Sequence, residues 1–388
     1  MTQRIDILTT GAMPSQRKDA VASSGEDVVD HAVNALHKCF PGVEFVVRRV
    51  CCRDSSQMTT DILWGIGVQV SRSFQDGADG VVVTHSTDTI EETAYFLDLV
   101  GDFSCSGLSG SGFSGTNDTS DKQVDEGSGR PNGQAQASDE DDSHGPVVQI
   151  SEGISMESSF GPARGRISGS GPKAANGPTV ITGSIRRAGE MAPQGLANLL
   201  ASCKVALEPD SAQYGALVVA NGEIHLAREV VKVNSWILDA FESPVCGPVG
   251  FVGSHGVDFV AKPLRRSCTR YTALVPPVDL VTASIGPGDR SIPALVDVGC
   301  RGLVVESLGY GNLPQEMVRD LQSAAKRNVP VVITTRCLSG GAPNPGTVDD
   351  SGFVATNLPG PKARIKLMLA LSVTNDASEI AQIFAQYP

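Results

Sequence analysis

The sequence lacks an excess of positive charge, long apolar runs and a recognisable export signal. Lysine and arginine number 31 against 43 aspartates and glutamates, so the formal net charge is −12. Nucleic acid and anionic membrane surfaces are therefore not expected as partners, because both require a basic surface. No apolar run approaches the roughly 20 residues of a membrane helix. The first residues contain no apolar segment typical of a signal peptide, which favours a cytoplasmic location.

Patterns for metal binding and disulfide formation are also missing. The chain has nine cysteines, an odd number, and none lies in a Cys-x-x-Cys motif. Its six histidines are scattered without a pair at zinc-ligand spacing. We therefore expect reduced, mostly buried thiols, as is usual in a cytoplasm, and we do not expect a metalloenzyme.

Short apolar runs alternate with helical periodicity along the chain. Residues 5–10, 44–50 and 80–84 predict strands, with helices between and after them. Such alternation is typical of a mostly parallel sheet that helices cover on both faces. A second alternating unit begins near residue 278. The predicted fold is α/β with two domains, each a mostly parallel sheet flanked by helices.

This pattern divides the chain unequally. Residues 1–250 are predicted to form an N-terminal α/β domain that carries the active site, residues 251–277 a connector, and residues 278–388 a C-terminal α/β domain. Within the first domain, residues 103–177 are rich in Gly, Ser, Asp and Asn. They contain too little apolar surface to offset the entropy lost on ordering, so we predict a disordered insertion there.

The sharpest local signal follows the third predicted strand. Residues 84–89 contain three threonines, a serine and an aspartate directly before a predicted helix. Ligands of parallel α/β sheets bind beyond the carboxyl ends of strands, where helix N-termini attract anions. The segment therefore indicates either a site for a small zwitterion with a hydroxyl nucleophile, or an ordinary capping box formed by Thr89 and Glu92. The residues alone favour the capping box.

A second candidate is Lys232, which lies between Val231 and Val233. A lysine that is partly removed from water can accept a proton from a hydroxyl. A lysine on an edge strand that prevents aggregation is the commoner interpretation. The sequence alone leaves both interpretations open.

Several segments match one family in order. They are residues 54–58, 80–100, 182–199, 221–232, 309–314 and 352–364. Together they resemble the bacterial-type L-asparaginase (asparaginase/glutaminase) family over almost the entire chain outside the insertion. The resemblance implies an asparaginase-like fold, no cofactor, and a homodimer or homotetramer. The activity it implies is hydrolysis of the side-chain amide of L-asparagine to L-aspartate and ammonia.

The resemblance also implies roles for individual residues. Thr87, Lys232 and Asp88 match the family's catalytic Thr-Lys-Asp group, in which the lysine relays a hydroxyl's proton and the aspartate holds the lysine. Ser55 would receive the α-carboxylate of the substrate, and Asn312 would reach toward a neighbouring subunit's site. The full set of substrate-binding residues expected in this way is Ser55, Ser56, Thr10 and Asn312, and no metal ligand is expected.

Some positions depart from the family pattern. The family's first signature ends in a nucleophilic threonine, and Met13 stands at that position here. The lid that follows normally contributes a tyrosine, but residues 14–57 contain none. Ser86 replaces a glycine, which would strain the serine if that position needs φ > 0, and Thr347 stands where many members have a glutamate.

These departures lead to competing hypotheses. The first is an active asparaginase in which Thr87 attacks the amide, with Thr10 or Ser15 as alternative nucleophiles. The second is a catalytically impaired homologue that binds an amino acid without turnover. A third is an enzyme that acts on a different amide, such as glutamine.

Overall fold

A computed structural model describes most of the chain outside the insertion. The described residues are 2–10, 32, 34–101, 149–151, 177–186, 190–261, 269–286 and 290–386. Among them, no helix combines the length and the apolar character that crossing a membrane requires.

The described strands and helices alternate along much of the chain. The strands are β1 (Gln3–Thr9), β2 (Val43–Arg49), β3 (Gly80–Thr84), β4 (Gln149–Ser151), β5 (Thr179–Thr182), β6 (Ala216–Ala220), β7 (Glu223–Leu226), β8 (Val231–Lys232), β9 (Phe241–Glu242), β10 (Gly250–Gly253), β11 (Gly256–Phe259), β12 (Val278–Thr282), β13 (Gly302–Ser307), β14 (Val331–Thr335) and β15 (Val354–Ala355). The helices are α1 (Thr60–Gln75), α2 (Ile90–Val100), α3 (Gly195–Leu207), α4 (Ser291–Asp297), α5 (Gln315–Lys326), α6 (Gly360–Ala370) and α7 (Ala377–Ala385).

Two sheets organise the fold. The larger has the strand order β11-β10-β7-β6-β5-β3-β1-β2-β4, and the smaller has the order β12-β13-β14-β15. The pairs from β6 through β5, β3, β1 and β2 to β4 are all parallel, as are all pairs of the smaller sheet. Strands β8 and β9 form a separate antiparallel hairpin. The predicted two-domain α/β fold is confirmed.

The central strand β3 shows why the sheet is covered on both faces. Val81 and Val83 belong to one apolar cluster with helices α1 and α2, whereas Val82 belongs to a second cluster with α3. A strand that is buried on both faces needs a continuous apolar run rather than alternation, as this valine run provides.

The described structure extends the large sheet beyond the predicted limits. Strand β10 begins at residue 250, and apart from that residue β10 and β11 lie within the predicted connector, 251–277. Nevertheless, β10 pairs with β7, and β11 pairs with β10 at the edge of the large sheet. The predicted disordered insertion, 103–177, contributes β4, which pairs with β2 in parallel register, Ile150 opposite Val47. Such short edge strands contain too few residues to show a pattern in the sequence. Residues 102–148 and 152–176 lie outside the described part.

The thiols are free but less buried than predicted. Of the cysteines that the structure describes, Cys203 and Cys300 are buried, whereas Cys39, Cys52, Cys246 and Cys337 are exposed. The prediction of mostly buried thiols is therefore wrong for the described residues.

Helix α6 connects the two units. It packs against α2 of the larger unit and against strands β12 to β14 of the smaller one. Nearly all its residues are buried, including Lys362 and Lys366. Its apolar residues join α2 and both sheets in one continuous apolar cluster.

Candidate active site

The candidate site lies where parallel strands of the large sheet end. Thr10 follows β1, Thr84 ends β3, and Thr182 ends β5 at the same edge. Beyond β3, residues Thr87–Thr89 form a single 3₁₀ turn that leads directly into α2. Ser86 enters this turn with φ −70° and ψ 148°, which is an extended conformation open to any residue. The serine at a family glycine position is therefore not strained here.

Lys232 contacts both of the residues with which the resemblance groups it. Its Nζ donates to Thr87 Oγ1 at 2.9 Å and to Asp88 Oδ1 at 2.7 Å. The Lys232 side chain is 13% exposed and that of Asp88 is 68% exposed. The hydrogen bond from Lys232 lowers the pKa of Asp88, so Asp88 is a carboxylate at neutral pH. A hydroxyl, an amine and a carboxylate thus meet at one point, with the carboxylate open to solvent.

These contacts distinguish between the interpretations that the sequence left open. Lys232 does not project from an edge strand into solvent, since its ammonium group is bonded to Thr87 and Asp88. Thr89 occupies the N-cap position of α2, but its side chain makes no capping hydrogen bond. Its hydroxyl donates instead to the carbonyl of Ser55 at 3.2 Å. The capping box that the residues alone favoured is therefore not formed.

The segment of residues 54–58, called the serine loop below, packs against the turn Thr87–Thr89. Ser55 is buried, and its Oγ accepts a hydrogen bond from the backbone N–H of Asp88 at 3.3 Å. With the bond from Thr89, this joins the segment after β2 to the segment after β3. Ser56, the next residue, is exposed. The structure thus brings Ser55 to the predicted site.

Thr10 lies at the same sheet edge, but its hydroxyl is bonded to the backbone of the neighbouring strand β3. It is fully buried, and its Oγ1 donates to the carbonyl of Thr84 at 3.0 Å. Its own carbonyl accepts from the backbone N–H of Arg53 at 3.2 Å. Thr10 therefore joins β1 to β3 and to the serine loop. Met13 and Ser15 lie outside the described residues.

Two other predicted positions are in the smaller unit. Asn312 is exposed in the loop after β13, where its backbone carbonyl accepts from the N–H of Leu308 at 3.1 Å. Thr347 is also exposed, and its hydroxyl donates to the carbonyl of Asn344 at 2.7 Å. Asn312 is predicted to act at a neighbouring subunit's site, a role for which an exposed loop is suitable.

His85 lies within the motif of residues 84–89, and its contacts are those of a structural residue. Its Nδ1 lies 2.6 Å from the Ser86 carbonyl, and its Nε2 lies 3.0 Å from Thr93 Oγ1. Because a carbonyl only accepts, Nδ1 carries the proton and Nε2 accepts from the threonine. Burial lowers the pKa of His85, which favours this neutral form. The ring therefore supports the turn that carries Thr87.

Nothing in the sequence indicated the side chains that bind the backbone of residues 228–232, called the lysine segment below. The backbone N–H of Lys232 donates to Glu91 Oε2 at 3.3 Å. Lys362 of α6 donates to the carbonyls of Arg228 and Val230, just upstream.

Among the described residues, no group of three or more His, Cys, Asp or Glu side chains is arranged to hold a metal ion.

Two α/β units built on mostly parallel sheets are the asparaginase-like architecture that the sequence predicts, and comparisons with known proteins agree on this class of fold. The family model "Asparaginase, N-terminal" matches residues 4–105 and 172–265. The model "Glutaminase/Asparaginase C-terminal domain" matches residues 277–384. Because these matches cover well over half of the sequence, the chain belongs to the asparaginase family.

Individual relatives match over most of their length. L-asparaginase 2 of Escherichia coli (strain K12) is 29% identical over 99% of this chain and 93% of its own. The glutaminase-asparaginase of Pseudomonas aeruginosa is 25% identical over 86% of this chain and 75% of its own. A solved structure, a probable cytoplasmic L-asparaginase from Campylobacter jejuni, has a TM-score of 0.72 and 25% identity, and the match covers 99% of this chain and 100% of that one.

Proposed function

We propose that the protein is an amidohydrolase that converts L-asparagine to L-aspartate and ammonia. The observation that carries the proposal is the position of Lys232 Nζ, 2.9 Å from Thr87 Oγ1 and 2.7 Å from Asp88 Oδ1. A neutral hydroxyl is a weak nucleophile, and an adjacent amine that can take its proton activates it. The names of the relatives, L-asparaginase and glutaminase-asparaginase, support this substrate class.

In the proposed reaction, Thr87 Oγ1 attacks the carbon of the side-chain amide while its proton passes to the neutral form of Lys232. The tetrahedral intermediate then breaks its C–N bond, and the leaving nitrogen takes that proton and departs as ammonia. An ester between aspartate and Thr87 remains. Water, deprotonated by Lys232, hydrolyses this ester and restores the Thr87 hydroxyl.

The same arrangement offers groups that would bind the ends of the substrate. The Asp88 carboxylate is exposed and charged, so it would pair with the α-ammonium group. The Ser55 hydroxyl, which already accepts from the Asp88 amide, would donate to the α-carboxylate. Backbone N–H groups of the Thr87 turn would stabilise the oxyanion. We also propose that Asn312 completes a neighbouring site in a homodimer or homotetramer; the cytoplasmic location stays a prediction.

The proposal is tested by measuring ammonia release from L-asparagine by the wild-type protein and by variants of Thr87 and Lys232. Thr87→Ala removes the hydroxyl and is expected to abolish release, whereas Thr87→Ser keeps a hydroxyl and should retain measurable activity. Lys232→Met should abolish release too, because it keeps the side chain's length but removes the base. Full activity in Thr87→Ala, or no release by the wild-type protein between pH 5 and 9 (roughly the range in which typical side chains titrate), would contradict the proposal.

Met13 favours a second candidate, a homologue that binds aspartate or asparagine without turnover. A thioether cannot carry an acyl group in the way that a threonine does, so the family's first nucleophile is lost in this sequence. Calorimetric binding of aspartate together with no ammonia release would support this candidate. In that case, Met13→Thr is expected to create activity.

Glutamine is to be assayed as a substrate in parallel with asparagine, since one methylene typically changes the discrimination between two substrates by only about 1–3 kcal/mol.

A further inference from the structure

Helix α6 buries two lysines one turn apart. Lys362 is 0% exposed and Lys366 is 1% exposed. Burying an ammonium group is unfavourable unless hydrogen bonds replace its water. Lys366 donates to the carbonyl of Gln386 at 2.8 Å and lies 5.4 Å from the ring centroid of Phe384, so it fixes the end of the chain against α6. Lys362 has different partners.

Lys362 connects the smaller unit to the segment that precedes Lys232. Its Nζ donates to the carbonyl of Arg228 at 2.9 Å and also to the carbonyl of Val230. These carbonyls lie four and two residues before Lys232, in the connection between β7 and β8. The backbone that delivers the candidate base is therefore fixed by a charged group from the other unit.

Glu91 binds the same segment at the backbone of Lys232 itself. Its Oε2 accepts from the backbone N–H of Lys232 at 3.3 Å. Burial lowers the pKa of Lys362 to about 8, and the negative charge of Glu91 is the largest effect that opposes this. Glu91 lies at the start of α2, directly after the turn that carries Thr87 and Asp88. Lys362 and Glu91 therefore hold the lysine segment in register with its two partners.

We propose that Lys362 is a positioning residue of the active site, which keeps the Lys232 ammonium between Thr87 and Asp88 by fixing the backbone at Arg228 and Val230. Its effect on turnover rests on the proposed function, whereas its effect on the position of Lys232 does not. A displacement of about 1 Å in a reacting group can lower a rate about hundredfold.

Lys366 provides a matched control. Lys362→Met and Lys366→Met each remove one buried ammonium group from the same helix, but only the first releases the lysine segment. Two quantities are measured on the full-length chain: steady-state kinetics with asparagine, and the rate at which acetic anhydride labels Lys232. The labelling rate is read by mass spectrometry relative to the exposed Lys326.

We expect Lys362→Met to lower kcat at least about tenfold with a much smaller change in KM, and to raise the labelling of Lys232 several-fold. Lys366→Met is expected to leave both near the wild-type values. Equal behaviour of the two variants in both measurements would overturn the proposal.

Two further outcomes are also decisive. If the wild-type protein hydrolyses no amide, the proposed function fails, and the labelling of Lys232 alone decides the role of Lys362. If Lys362→Met does not fold, Lys362→Gln replaces it, since glutamine is shorter and uncharged but keeps an NH2 group that can donate to the carbonyls. The expected result is then a smaller increase in Lys232 labelling, and labelling equal to that of Lys366→Met overturns the proposal.

Discussion

At the scale of single residues, two threonines at one sheet edge have opposite environments. Thr10 is fully buried, and its hydroxyl donates to the Thr84 carbonyl at 3.0 Å. Thr87 is only partly buried, and its hydroxyl receives a hydrogen bond from Lys232. A hydroxyl that is already donating to a carbonyl must break that bond before it can lose its proton to a base. This difference supports the proposal that Thr87, and not Thr10, is the nucleophile.

The substrate-binding role proposed for Ser55 can be separated by kinetics from the catalytic role proposed for Thr87. We expect Ser55→Ala to raise KM for asparagine at least about tenfold, because a hydrogen bond to a charged group contributes about 1.5–3 kcal/mol. The value of kcat should change much less, since Ser55 would bind the α-carboxylate and not the reacting amide. Steady-state kinetics across a range of asparagine concentrations checks this. A large loss of kcat at unchanged KM would instead assign Ser55 to the chemical step.

At the scale of secondary-structure elements, the end of β5 must approach the Thr87 turn closely. A Cβ on Gly183 would lie 2.6 Å from the carbonyl oxygen of His85 and 3.2 Å from Thr87 Cγ2. The first of these distances is shorter than real contacts allow, and the atom involved belongs to the backbone. The absence of a side chain at Gly183 therefore lets the two strand ends meet at the site.

Gly183→Ala should consequently displace the Thr87 turn. We expect a loss of stability of about 1–3 kcal/mol, as for other overpacked sites, together with a loss of kcat. Gly195→Ala is the control, because a Cβ there would meet its nearest atom, Ser184 Cβ, at an ordinary 3.5 Å. Denaturant unfolding and ammonia release measure both effects. Equal behaviour of the two variants would show that the turn is not restricted by Gly183.

The interface between α2 and α6 also contains an acid whose titration affects stability. Burial, and then the neighbouring charge of Glu91, raise the pKa of Glu92 from 4.5 to about 7, and the charges of Arg364 and Lys362 oppose this. The folded state therefore binds the proton more tightly than the unfolded chain does. Its stabilising contribution is fully present below pH 4.5 and is lost as the pH rises through about 7.

Glu92→Gln should remove this dependence. Between about pH 4.5 and 7, the free energy of unfolding of the wild-type protein is expected to fall by up to about 3 kcal/mol more than that of the variant. Urea unfolding at several pH values provides the measurement. Parallel curves for the two proteins would show that Glu92 does not titrate in this interval.

The sequence predicted elements more reliably than contacts. The valine run of β3 predicted a strand of a parallel sheet, because burial on both faces requires continuous apolar residues. Lys232 and Thr87 were paired only through the resemblance, since they lie far apart in the chain. The partners of Lys362 could not be predicted, because a lysine in a helix gives no sign that it bonds carbonyls of another unit. The direction of the Thr10 hydroxyl likewise depends on tertiary neighbours.

At the scale of the whole molecule, the two units share one apolar cluster that includes α2 and α6. The family models match both units but not the stretch between residues 105 and 172. Strand β4 is the described part of that stretch, and it lies at the edge of the sheet, where it pairs with β2. None of the residues that the described structure brings together at the candidate site belongs to this stretch.

Replacing residues 106–146 with a shorter Gly/Ser linker is expected to preserve folding and activity. The change keeps β4, and shortening a flexible connection changes the closure entropy by only about 0.6 kcal/mol per halving. Thermal unfolding and ammonia release of the shortened chain check this. A chain that no longer folds, or that folds without activity, would assign the deleted residues a structural or catalytic role.

The central claim is that Thr87, activated by Lys232, is the nucleophile. The most direct measurement is acid quenching of the wild-type protein during turnover of asparagine, followed by peptide mass spectrometry. The account predicts an aspartyl ester on Thr87 that is missing in Lys232→Met. An ester on the peptide that contains Thr10 and Ser15, or no ester in a protein that releases ammonia, would contradict it.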